Sequence, residues 1–537
     1  MLLELGGKPT ANVDRHLTVK LRKADNRAHR SAVSLVQTTN DQEMLMSPRF
    51  SCPSQVQMLK RTLGFVLCLP VLASWSVSAQ TTHDMKNGGP SDSNHAAAWR
   101  VTSRLGYGPT PDTARAAEQN PKAWGLSQID LAFAASQSAP SIPSDIARFN
   151  QPLTATVKDF QAEREARKNI KAPAAGALAM AEDITGALGF SRDMLQTANA
   201  WRLIACSDPT LENPLLARMT EFWFNHLNVF AGKGPVRPFV GHYLVNVIRA
   251  NALGKFEDLL LASARHPAML FYLDQAQSNV RGLNENYARE LMELHTLGVN
   301  AGYSQNDVHE LARILTGWTV GVQLGEGFRF AERLHDSGSK KLLGRTFNNN
   351  GMQEGEDAIR MLARHPATAK RIALRLATTF VADKPPQAMV DQLADTFTRS
   401  QGDVRSVMRT LVESPEFWRA DNTLFKTPLD FACSALTAGG GVKERREIQL
   451  TLGFLAQAGQ SLHGWQTPDG YKTDAATWLA PEALTRRADY AMALGGRIHE
   501  PTYLRPFFSA ASLNRIALEQ PASCSGLMLA SPDFMNK

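Results

Sequence analysis

The sequence predicts an all-α protein, a large multi-helical body over residues 96–535 with one small two-stranded excursion near residues 325–350. Three observations predict it. Apolar residues recur three and four apart through most of that span, the spacing of one face of a helix. The periodic runs are opened by Pro and closed by Gly at short intervals, the punctuation of many short helices. A composition of 43% hydrophobic and 20% charged residues in 537 belongs to a soluble globular chain and excludes a wholly disordered or fibrous one.

Taken in order, the chain opens with an address. Met58-Leu59-Lys60-Arg61 is a short basic start, residues 63–73 are an apolar run, and Val77-Ser78-Ala79 is a small-residue cleavage pattern before Gln80. Together they form a secretory signal peptide over 58–79. The run is shorter than the ~20 residues a membrane span needs, and Pro70 interrupts it. Residues 1–57 are polar and aperiodic, and are expected to be disordered or to precede the true start. Residues 80–95 are expected to be a tether. The expected destination is periplasmic or secreted, with no transmembrane span once the leader is removed.

The whole chain carries 58 Lys+Arg against 51 Asp+Glu, a net charge of +7, but beyond residue 79 the balance is 48 to 46, a net +2. The basic character belongs to the leader region. No polybasic strip interleaved with aromatics remains, so nucleic acid is not an expected partner. Of the five cysteines, Cys206, Cys433 and Cys524 remain, enough for one disulfide at most. No Cys-x-x-Cys spacing offers a thiolate zinc site or a redox pair.

Within the body, a charged helix is expected over 154–169, polar on most sides and capping the body or hanging in solvent, between the Pro/Ser/Ala-rich 134–152 and the Ala/Gly-rich 171–181. Helices follow over 215–230, 239–253, 256–264, 267–276, 284–297 and 305–316, and the pattern continues over 366–413. Ala264-Arg265-His266-Pro267-Ala268 and Ala363-Arg364-His365-Pro366-Ala367 repeat one joint, in which His266 and His365 are expected to meet the last carbonyls of the preceding helix. Phe328-Arg329-Phe330 and residues 342–347 are expected to pair across a Gly/Ser/Lys-rich turn. Gly439-Gly440-Gly441 is the expected hinge if the body has two lobes.

The chemistry concentrates in residues 284–298. At 100° per residue, Tyr287, Glu290, Leu291, Leu294 and Leu297 share one helix face, so a carboxylate falls within an apolar stripe. An unpaired buried carboxylate costs several kcal/mol, so Glu290 needs a cation, a proton or a metal. Glu293 lies one turn on, and Arg289 can pair with Glu285 and Glu293. Asn286 and His295 belong to the same stretch, with His295 pointing away from Glu290. A second cluster, Trp223, Asn225 and His226, stands among large apolar groups that can tune an imidazole. Ser304 and Asp307 form a helix-opening cap. His335 and Asp336 fall in the excursion, where a working His is more at home than on a helix. A Ser elbow, a phosphate-cradling loop, a His-Glu-x-x-His helix and a dinucleotide fingerprint are all absent from the sequence.

The carrying residues are Phe222-Trp223-Phe224-Asn225-His226, Arg265-His266-Pro267, the whole of 284–298, 311–318, His335-Asp336, 414–418, Lys426-Thr427-Pro428, Thr467-Pro468-Asp469-Gly470 and Ala476-Thr477-Trp478. On these the chain resembles the bacterial domain of unknown function 1800 family over about residues 99–487. The resemblance implies a secreted protein, often encoded beside a sulfatase-like secreted protein, and supplies no catalytic residues or cofactor. The family often has a His where Phe224 stands here, so a ligand pair with His226 is incomplete.

Two functions follow as expectations. One is an exported binding or assembly protein acting with another secreted protein. The alternative is an exported hydrolase or oxidoreductase in which Glu290 is general base or metal ligand, Glu293 its neighbour, His226 acid or ligand, and Arg289 an anion clamp. A divalent metal fits the second and is not favoured.

Overall fold

The computed structural model describes residues 90–170 and 181–537. The leader, residues 1–57, most of the tether and residues 171–180 lie outside the described residues. Helices dominate, with two small antiparallel sheets, as the periodicity predicts. Among the described residues no helix is long and apolar enough to cross a membrane.

One local device starts much of the fold. A capping side chain accepts a hydrogen bond from the backbone N–H three residues on, and Pro occupies the first helical position between them. Thr110-Pro111, Asn120-Pro121, Asn213-Pro214, Thr427-Pro428 and Ser531-Pro532 are built this way. The Arg-His-Pro joints use a variant, which corrects the expectation for them. His266 and His365 do not meet the preceding carbonyls; each Nδ1 accepts from the N–H two residues on, Ala268 at 3.2 Å and Ala367 at 3.1 Å, and so caps the following helix. A helix also begins at Pro90, inside the expected tether, because Pro presets the backbone angle of a first turn.

The helix Leu153–Ile170 stands where expected but does not hang in solvent. Val157, Phe160 and Glu163 are buried, and Phe160 meets Phe239 edge-on at 5.4 Å. Glu163 joins this narrow stripe because Ser191 and Arg167 hydrogen-bond its carboxylate.

The excursion is two hairpins, not one. Strand β1 (Trp318–Val320) pairs with β2 (Phe328–Phe330), and β3 (Ser339–Leu342) pairs with β4 (Arg345–Asn348). Leu343 and Gly344 both have positive φ, the mirror-image turn that suits a two-residue hairpin loop, so residues 342–347 contain a turn where a strand is expected.

The main core runs from Ala98 to Phe417. A second core gathers Phe431, Phe454, Tyr490 and Phe534, and takes in Tyr107, Leu203, Cys206 and Ala217 from the N-terminal half. The helices Ala181–Ser207 and Pro214–His226 therefore serve both cores. A disulfide joins Cys206 to Cys433, 227 residues apart, and Cys524 is buried and free. Gly439–441 is a helix end: Gly440 and Gly441 have φ of +83° and +85°, and the Gly441 N–H returns to the Leu436 carbonyl.

Candidate functional site

Residues 284–298 begin as expected, with Asn284 accepting from the Asn286 N–H at 2.9 Å. After the helical turn Asn286–Glu290 the backbone widens into a π-helical segment, Leu291–His295, where one continuous helix is expected. Such a segment turns carbonyls away from the regular ladder, and they need other donors. Thr296 Oγ1 donates to Leu291 O at 2.6 Å, Arg371 Nε to Leu294 O at 3.0 Å, and His226 Nε2 to His295 O at 3.0 Å.

This settles His226. A carbonyl only accepts, so Nε2 carries the proton, and burial followed by the Arg375, His295 and Arg371 charges holds the ring well below the ordinary His range. His295 is also buried and lowered to about 3, by burial and then by Arg371 and Arg375. Trp223 donates to Ala252 O at 2.8 Å and stacks on Phe256. Asn286 donates to Leu273 O at 3.3 Å.

Glu290 departs from its expectation. It is half-buried, and no cation pairs with it among the described residues. Partial burial, then Glu293, raises its pKa; Arg289 opposes this and Asp469 adds to it. The helix face is apolar as read, but the carboxylate stands half-buried at its edge, where water can reach it. Arg289 makes the surface pairs its spacing predicts, with Glu285 at 3.2 Å and Glu293 at 3.6 Å. His335 is buried in the excursion, with Nδ1 on Thr316 O at 2.9 Å and Nε2 2.8 Å from Glu354. Asp336 takes two hydrogen bonds from Arg313, which hold its carboxyl below the usual range.

The other face of the Pro214–His226 helix builds a cavity. Asn225 makes a two-point match with the backbone of Tyr471, donating to its carbonyl at 2.9 Å and accepting from its N–H at 2.7 Å. Asn228 donates to the carbonyls of Trp465 and Thr467. The loop between them closes on itself through Asp469, which accepts from Trp465 Nε1 at 2.9 Å and Thr467 Oγ1 at 2.6 Å and pairs with Lys472. Gly470 has φ +74°, and a Cβ there would lie 2.0 Å from the Asn225 carbonyl oxygen, so only glycine fits. Two distant motifs are thus one structural unit.

Behind this loop lies a space of about 290 Å³, walled by Phe222, Phe224, Arg375, Thr378, His463 and Asp469 among others. Arg202 pairs with Glu221 through two of its three guanidinium nitrogens, Nε and Nη2, and lies over the Phe224 ring. Deeper in, Asp430 is shared by Arg218 and Lys537, which hold its carboxyl far below the usual range against the cost of burial. Of the sequence candidates only Asn225 lines this cavity. Arg202, Arg375 and His463 carry no signal of their own in the sequence; the Phe222–His226, Lys426–Pro428 and Thr467–Gly470 patterns are the ones that reach the cavity.

Fold and site together define a class: a helical protein with two cores, a disulfide within the second of them that ties residues 227 apart, and a cavity of mixed charge. The chain belongs to the family described as "Protein of unknown function (DUF1800)", whose pattern matches residues 100–535. Neither a curated protein nor a solved structure matches it.

Proposed function

We propose that this chain is an exported binding protein that works with another exported protein and receives a group of that partner in the cavity behind the 465–471 loop. One observation carries the reading. Asn225 and Asn228 pin the loop against the Pro214–His226 helix, so the cavity is built in advance of any ligand, as binding sites generally are. The acid and base candidates lie outside the cavity wall: His226 holds a backbone carbonyl, and Glu290 stands half-buried without a partner among the described residues. The three-part leader motivates the exported setting, and the Cys206–Cys433 bridge suits an oxidising compartment. The secreted sulfatase-like protein that the family resemblance implies is the first partner to test.

The experiment is affinity capture from the native exported fraction, using the full chain and a Thr378→Trp variant that fills the cavity wall. A partner retained in stoichiometric amount by the wild type and lost by the variant supports the reading. Equal retention by both removes the cavity from the function. The enzymatic alternative has one observation in its favour, a half-exposed Glu290 with a raised pKa. It expects Glu290→Gln to abolish a turnover that Thr378→Trp spares.

A further inference from the structure

The cavity holds five cationic side chains, and four of them are matched. Arg202 is paired with Glu221, Arg218 and Lys537 with Asp430, and Lys472 with Asp469. Arg375, on the helix Pro366–Phe380, lines the same wall, and among the described residues its guanidinium makes no hydrogen bond or ion pair. Its backbone carbonyl accepts from the Thr379 hydroxyl at 2.8 Å, which leaves the guanidinium untouched. Burial, then the neighbouring Arg371, lowers Arg375 to about 10, while Asp469 acts the other way. Asp469 does not neutralise it at contact, since its oxygens are taken by Trp465, Thr467 and Lys472.

A second residue of the same wall braces Arg202. His463 is 2% exposed and sits in the left-handed region at φ +54°, rare for a residue with a Cβ. Its Nδ1 lies 3.2 Å from Arg202, and a guanidinium only donates, so Nδ1 accepts and the proton is on Nε2. Nε2 has no partner. The acceptors of the cavity are in use: Glu221 and Asp430 by arginines, Asp474 by the Thr477 N–H. What the cavity offers is donors.

Resting on the reading of this cavity as the docking point, we propose that it binds an oxyanion, a carboxylate or a sulfate or phosphate ester, on the Arg375 guanidinium. The planar fork of Arg matches two oxygens of such a group and is strongest where water is excluded. At about 290 Å³ the space admits the anion together with a short carbon chain. A cationic or neutral group would leave Arg375 unmatched.

The test is calorimetric titration of the full chain at constant ionic strength with sodium acetate, sulfate and phosphate, set beside chloride and a neutral sugar. Wild type, Arg375→Gln, Arg375→Lys and Thr378→Trp are compared, each first shown to melt cooperatively. Saturable binding of at least one oxyanion is expected, weakened about tenfold or more by Arg375→Gln, partly kept by Arg375→Lys and blocked by Thr378→Trp. Preference among the three anions separates a carboxylate ligand from an ester. Equal oxyanion binding by wild type and Arg375→Gln, or none by the wild type, overturns the inference. If Thr378→Trp still loses the captured partner in that event, the cavity remains the docking point and only the charge assignment falls. If it keeps the partner, the docking reading itself fails.

Discussion

Asn225 joins two segments 246 residues apart by an amide that satisfies both backbone groups of Tyr471. Its replacement by Ala leaves that N–H and carbonyl unpaired beneath the loop, at a cost of about 1–3 kcal/mol, and denaturant unfolding should show it. Gly470 allows a cleaner comparison. Gly470→Ala and Gly459→Ala both place a Cβ at positive φ, +74° and +79°, but only the first drives it into backbone. Gly459→Ala should cost about 1 kcal/mol and Gly470→Ala clearly more, with loss of cavity binding. His295 contributes its own share of a pH dependence to which the other buried imidazoles, His226, His242, His266 and His463, add. Its folded pKa of about 3 lies below the ordinary 6.5, so the unfolded chain binds the proton first and stability falls as pH drops from 6.5 toward 3. A single such group gives a slope of about 1.4 kcal/mol per pH unit in that window. The variant His295→Met should flatten it by about one proton in urea melts at pH 7, 6 and 5. An unchanged slope would mean that His295 titrates normally.

At the scale of elements, the excursion shows why pattern alone misleads. Strand β3 alternates exposed and buried residues, which puts Ser339 and Lys341 outward and Lys340 inward with Leu342. Lys340 is fully buried, and its ammonium meets Glu354 and the Asp336 carbonyl while His335 touches the same carboxylate. In sequence, Lys340 belongs to a polar turn; its partner lies beyond the next strand, on the helix Met352–Ala363. Lys340→Met strands a buried carboxylate and should cost about 3–5 kcal/mol, while Lys340→Met combined with Glu354→Gln should recover most of it. Melts of the single and double variants decide the point. Helix positions were legible because caps and periods act within a few residues. The π-helical segment Leu291–His295 was not, since its widened turn is held by His226 and Arg371 from other helices. Glu290 closes the regular turn before that segment and is half-buried at the edge of its apolar face.

For the whole molecule, the cavity depends on holding two halves in register. Its walls include Arg202 from the helix Ala181–Ser207 and Asp430 from the helix Pro428–Ala438, and the disulfide ties those helices at Cys206 and Cys433. The sequence allowed a bridge among three cysteines but could not choose the pair, because the choice is made by which helices pack. The same holds for Arg375, whose importance lies only in what it fails to meet. A cross-link spanning 227 residues removes much of the unfolded chain's freedom, worth about 3–5 kcal/mol. The double variant Cys206→Ser, Cys433→Ser should lose roughly that stability by denaturant melts, while Cys524→Ala changes little. Because the bridge sits one turn from Arg202 and from Asp430, the double variant should also weaken oxyanion binding under conditions where it remains folded. A variant that melts early yet binds at full strength would show that packing alone holds the cavity walls, leaving the disulfide to act only on the unfolded chain.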